Sequence, residues 1–243
     1  FLFQRSIRKG PWCWSNQHFF RSIMRFYSTN NRSVFASLQE AVLQGLAPDN
    51  GLYMPEHIPV LPEDFFSGMH EKDFPFIARE VAAKFTGDDV PEGELKKIVE
   101  HTLQFDAPLV DVENNTSALE LFHGPTMAFK DFGARFMSQL LRFFSSQINR
   151  EVVILVATSG DTGSAVANGF LGVPGIRVIV LYPSGKVSDI QEKQFTTLQQ
   201  NISALEVQGT FDDCQRLVKG AFLDPGLRED YFLTSANSIN IAR

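Results

Sequence analysis

The feature that most constrains the fold is an alternation that sets in at Pro108, where short runs of aliphatic and β-branched residues are separated by amphipathic stretches. Val152–Ala157 and Arg177–Leu181 are continuous apolar runs of strand length, so each predicts a strand buried on both faces. Around them the periodicity predicts helices over Asp131–Gln147, Thr162–Leu171, Asp189–Gln199 and Asp212–Leu223. Further strands are expected at Leu109–Val112, Ala118–Phe122, Ala204–Val207 and Tyr231–Leu233. Parallel neighbours need crossover connections, so repeated strand-loop-helix order predicts an α/β fold with a parallel sheet covered on both faces.

Ahead of that region the pattern is helical. Phe35, Leu38, Val42 and Leu46 are spaced for one buried face, with Ser33 as cap and Gly45 near the end. Residues 47–65 form a turn-rich connector in which Leu52, Tyr53, Met54, Ile58 and Leu61 are expected to pack. Helices follow at Phe74–Phe85 and Glu92–Leu103, the latter with Pro91 in its first turn. The expected organisation is a head, 1–23, a helical amino-terminal domain, 24–105, and a catalytic domain, 106–243, whose last sheet unit is not finished.

Charge separates the head from the body. Residues 1–39 hold six basic side chains and no acid, which leaves 16 Lys and Arg against 28 Asp and Glu in the rest, a balance of −12. A body of that sign repels polyphosphate and argues against a nucleic-acid partner. No apolar run approaches the ~18–20 residues of a membrane-spanning helix, so no membrane partner is expected. Cys13 and Cys214 alone cannot build a disulfide framework or a four-cysteine metal site, which suits a reducing, cytoplasmic setting. The five histidines show no metal spacing, and no metal is expected. For the acid-free head two explanations stand: an organellar targeting segment, which would make the protein mitochondrial, or sequence upstream of a start at Met24. The second is favoured.

Three segments carry candidate chemistry. In ELFHGPTMAFKDFGARF (120–136), Lys130 sits where a turn becomes a helix, flanked by Phe129 and Phe132. Aromatic neighbours disfavour an ammonium, the condition a Schiff-base nucleophile requires, although a first-turn surface lysine has the same local sequence. In VVILVATSGDTGSAVA (152–167), a buried strand runs into a turn where Gly160 and Gly163 permit close approach and Ser159 and Thr162 offer hydroxyls. The free amides of the helix start suit an anion, or Ser and Asp merely cap the helix. In SANSINIAR (235–243), Asn237, Ser238 and Asn240 follow a strand, as in a ligand loop or an Asx-type turn. Neither a dinucleotide fingerprint nor a P-loop is present.

Together and in this order, ELFHGPTMAFKDF, ATSGDTGSA and NSINIAR resemble the threonine synthase family, pyridoxal-phosphate enzymes of the tryptophan-synthase-β fold type, also called fold type II. SLQEAVLQGLAPDNGLYMPE (37–56) is similar to that family's amino-terminal domain, and MRFYSTNNRS to its start. The resemblance implies pyridoxal 5'-phosphate as cofactor, held by Lys130, with Asp161 near the cofactor's 3'-oxygen. It implies that Ser159, Gly160, Thr162 and Gly163 grip the substrate carboxylate, and that Asn237, Ser238 and Asn240 add substrate contacts. The family converts O-phospho-L-homoserine and water to L-threonine and phosphate, by γ-elimination followed by addition of water at Cβ. Its Gly-Asn loop for the cofactor phosphate has no counterpart here, so the chain resembles an amino-terminal fragment. Two alternatives are a phospholyase that releases 2-oxobutyrate and a module that binds ligand without turnover. Oligomeric state is not legible.

Overall fold

The computed structural model describes residues 24–146, 148 and 150–243; the basic head and Gln147, the expected end of one helix, lie outside the described residues. The leading region holds more than helices. β1 (Phe26–Ser28) pairs antiparallel with both β2 (Phe35–Ala36) and β3 (Tyr53–Pro55), an unexpected three-stranded sheet. Phe35 therefore belongs to a strand and is exposed, and α1 (Leu38–Gln44) begins after it. Its cap is Ser37 rather than Ser33: the Ser37 hydroxyl accepts from the Glu40 amide while the Glu40 carboxylate takes the Ser37 N–H at 2.8 Å. That reciprocal pair satisfies two amides that Ser33 is too far away to reach. Gly45, at φ 73°, ends the helix as expected.

Of the five connector residues expected to pack, only Tyr53 is buried, its hydroxyl donating to Gln44 at 2.6 Å, whereas Leu61 is half-buried and Leu52, Met54 and Ile58 stay exposed. Successive residues of a strand face opposite sides, so burying Tyr53 turns both neighbours outward. α2 (Glu63–Gly68) and a 3-10 turn (Met69–Glu71) close the connector; α3 (Phe74–Thr86) is capped by Asp73, and Pro91 is the cap residue of α4 (Glu92–Thr102), one step ahead of its first turn. β4 (Leu109–Glu113) and β5 (Thr116–Leu119) form an antiparallel hairpin with every residue exposed, apart from the parallel sheet that their composition suggested.

The rest of the chain is the expected α/β unit, with α5 (Lys130–Ser145), β6 (Val152–Ala157), α6 (Asp161–Gly169), β7 (Ile176–Pro183), α7 (Asp189–Thr196), β8 (Ile202–Val207), α8 (Phe211–Leu223), α9 (Pro225–Asp230) and β9 (Phe232–Thr234). The sheet runs β8-β7-β6-β9 and is parallel throughout. Val152 through Val156 are all buried; alternate residues point to opposite faces, so both faces of β6 are covered. α5 turns Ala134, Met137, Leu141 and Phe144 inward at helical spacing, each at most 2% exposed, and packs against α6 and against α1 and α4 of the leading region. One hydrophobic cluster thus runs from Met24 to Ala242 across both halves.

Strand order sets the position of any site. From β6 the chain steps to β7 and β8 on one side, then returns to place β9 on the other side of β6. The order reverses between β6 and β9, and in open parallel sheets such a switch point opens a crevice at the carboxyl ends of the strands. The SGDTG turn leaves β6 there, and the Asn237 turn leaves β9 beside it.

Candidate functional site

The crevice is a cleft of about 230 Å³ lined in part by Thr158, Ser159 and Thr162 from the β6 turn, Asn237 from the β9 turn, and Gln215 and Lys219 from α8. Two of the three sequence segments therefore converge. Asn237 and Ser238 are both exposed, and of the two only Asn237 lines the cleft. Asn240 is placed elsewhere: it is 2% exposed, its amide donating to the Val42 carbonyl at 2.9 Å and its oxygen accepting from the Ala242 amide. The amide end ties the final turn to α1, and the oxygen end braces the turn itself.

Whether the SGDTG hydroxyls merely cap α6 is answered by a residue that sequence reasoning passed over. Thr158, 1% exposed, places its Oγ1 where it accepts the amides of Gly160 at 3.0 Å and Gly163 at 2.8 Å. One threonine thus does the capping. The hydroxyls of Ser159 and Thr162 have no hydrogen bond among the described residues, and the amides of Asp161 and Thr162 at the first turn are likewise unpaired there. The unused donors face an electropositive helix start, a combination suited to a carboxylate. Gly160 sits at φ 144°, which a side chain rarely adopts, and a Cβ on Gly163 would overlap Thr158.

The Lys130 turn is assembled by a different device. Asp131, 1% exposed, accepts from the Thr126 amide at 2.9 Å and the Thr126 hydroxyl at 2.6 Å, pinning the His123–Thr126 turn to the first turn of α5. Between them Met127, three residues ahead of the lysine, is held at φ 58°, a rare backbone state for a non-glycine residue. Lys130 Nζ lies 5.6 Å from the Phe129 ring centre. Phe132 does not flank it as expected, because its ring packs on Phe105 at 4.8 Å and on Phe74. The second neighbour of Lys130 is instead Asp161, whose Oδ2 stands 3.8 Å from Nζ, with the two side chains 29% and 49% exposed. An ion pair that open contributes little to stability.

His123 bonds Glu120 at 2.7 Å and stacks on Phe122, and Lys186 is exposed away from these contacts. No group of three or more potential metal ligands occurs among the described residues, and no helix among them is long and apolar enough to cross a membrane. Thr158 had a faint signal, a threonine two residues ahead of a glycine helix start. Lys219 had none, since it lies on a helix whose neighbour in space is set by strand order.

The chain is similar to known proteins in sequence and in fold. Residues 25–103 match the family model described as threonine synthase N terminus. A threonine synthase of Buchnera aphidicola is 44% identical over 221 residues, 90% of this chain and 51% of that protein. The crystal structure of threonine synthase from Escherichia coli superposes with a TM-score of 0.82 at 44% identity, covering 90% of this chain and 51% of that one. The PLP-bound threonine synthase from Brucella melitensis gives 0.85 at 36%, covering 90% and 48%. The chain spans about half the length of the relatives it matches.

Proposed function

We propose that this chain, related over nine-tenths of its length to the threonine synthases, forms the amino-terminal half of an enzyme that converts O-phospho-L-homoserine and water to L-threonine and phosphate. The observation that supports this most is the approach of Lys130 to Asp161: residues 31 positions apart, from two motifs selected independently, stand 3.8 Å from each other. A chance surface lysine has no reason to face the motif that also offers unused anion donors.

The residues fit pyridoxal phosphate in their chemistry, with a partly exposed primary amine at a helix start, a carboxylate beside it and unpaired amides at the start of α6. When bound, that cofactor supplies an electron sink for charge developing on the amino-acid carbons. Lys130 Nζ is the nucleophile that holds it and the base that carries protons from the substrate carbons. Ser159, Thr162 and the amides of Asp161 and Thr162 bind the substrate carboxylate, with Gly160 and Gly163 shaping the turn that presents them, packed against Gln191 and Thr158. Asp161, beside Lys130, would face the 3'-oxygen of the cofactor ring, and Asn237, with Ser238 beside it in the same turn, closes the far wall of the cleft.

Borohydride reduction in the presence of pyridoxal phosphate tests the central assignment. The expected result is a reduced adduct on Lys130 found by peptide mass mapping; an adduct confined to Lys186 or Lys193 would refute it. In the full-length enzyme, assay of threonine against 2-oxobutyrate separates synthase from phospholyase.

A further inference from the structure

Lys130 and Asp161 are brought together by a third segment with no part in either motif. Gln191 and Gln194 are three residues apart on α7 and so share one face of that helix. The Gln191 amide donates to Asp161 Oδ1. The Gln194 amide donates to the carbonyl of Thr126 at 3.2 Å, and Thr126 is the residue that clasps Asp131 beside Lys130. One helix face therefore holds both functional turns.

Gln191 is itself oriented. Ser188 Oγ donates to its side-chain oxygen at 3.0 Å, which leaves the amide nitrogen to face Asp161, and Ser164 Oγ donates to its backbone carbonyl at 3.3 Å. Its side chain lies directly over the glycine turn, where a Cβ on Gly160 would overlap it. A half-exposed aspartate ordinarily samples several rotamers. Here one carboxylate oxygen is tied to Gln191 and the other stays toward Lys130.

We infer that Gln191 is a positioning residue that holds the Asp161 carboxylate toward Lys130, with α7 as the brace that sets the distance between the two turns. The inference rests on the proposed roles of Lys130 and Asp161. A neutral donor is required at this place: a carboxylate there would repel Asp161 and compete for the Lys130 ammonium, and an apolar side chain would release Asp161 to solvent.

The test compares the unsubstituted full chain with Gln191→Met, which keeps length and loses the donor, and Gln191→Glu, which keeps shape and adds charge. Three quantities are read: thermal midpoint, pyridoxal-phosphate concentration for half-maximal borohydride-trapped adduct on Lys130, and the pH profile of Lys130 reductive methylation without cofactor. Gln191→Met is expected to raise that concentration about fivefold, the size of one lost hydrogen bond, with little change in midpoint. Gln191→Glu is expected to move the methylation profile to higher pH, because a second carboxylate favours the protonated amine. Trapping and methylation unchanged in both variants would overturn the inference alone. No adduct on Lys130 in the unsubstituted chain would instead bring down the cofactor assignment, and this inference with it.

Discussion

The turn after β6 is capped from within its own loop, whereas the turn before α5 is clasped by the helix that follows it, and α7 reaches both. In the first, Thr158 accepts two amides of its own loop from a strand buried on both faces. In the second, Asp131 holds Thr126, Gln194 reaches across from α7, and Met127 and Phe129 between them are 66% and 62% exposed with the backbone strained at Met127. A turn whose amides are capped from a buried strand suits fixed recognition of a carboxylate. A turn that depends on other elements suits a side chain whose position relative to a partner must be set from outside.

The sharpest way to separate the two is to remove the chemistry from one of them. Lys130→Ala is expected to eliminate the borohydride-trapped adduct while moving the thermal midpoint little, since its ion pair is exposed. Retention of an adduct at another lysine would mean that the outer turn is not the cofactor's anchor. The inner turn should respond in the opposite sense. Thr158→Val strips two buried amides of their acceptor and is expected to cost about 2–4 kcal/mol in denaturant unfolding.

Asp131→Asn sharpens the contrast from the other side. It weakens two bonds to Thr126 and is expected to cost about 1–3 kcal/mol, with slower adduct formation at Lys130 because the turn loses its clasp. Loss of stability with an unchanged trapping rate would show that the outer turn does not depend on that clasp. Ser159→Ala and Thr162→Val should change stability by less than about 0.5 kcal/mol, since Thr158 does the capping, yet lower kcat/KM for O-phosphohomoserine in the full-length enzyme. Early melting with full activity per folded molecule would restore the capping account.

The smallest effect concerns α8, which walls the cleft. Asp213 accepts from the Thr210 amide and from Arg216, which hold its carboxyl down at about 2 against an ordinary 3.8. A depressed folded value contributes stability above the ordinary value, and that contribution is lost as pH falls from about 4 toward about 2. Protection of the amides at the start of α8, measured against their intrinsic exchange rates, is expected to fall across that window in the native protein and to stay constant there in Asp213→Asn.

The parallel unit was legible because its signals are local. VVILVA is too short for a helix and lacks polar alternation, and α5 repeats apolar residues at helical spacing, so period and length fix type and approximate position. Errors gathered where a neighbour decides the outcome. Phe35 satisfies a helical spacing but pairs with β1, and Ile58 has the composition of a packing residue yet stays 79% exposed. Leu109–Val112 has strand composition, and strand it is, but one paired only with β5.

The site divides along the same line. Lys130 at a turn-helix junction, the glycines and hydroxyls after β6, and the resemblance of three ordered segments to the threonine synthases were all present in the sequence, because backbone freedom and residue chemistry are properties of a few consecutive residues. Tertiary structure alone decided that Phe132 turns away from Lys130 while Asp161 turns toward it, that Asn240 binds α1 while Asn237 faces the cleft, and that Gln191 and Gln194 grip both turns. Those contacts join residues about 30 to 200 positions apart, and their distances are fixed by the return of β9 to the far side of β6 and by the packing of α7 on α6. No window of sequence short enough to read for period contains both partners.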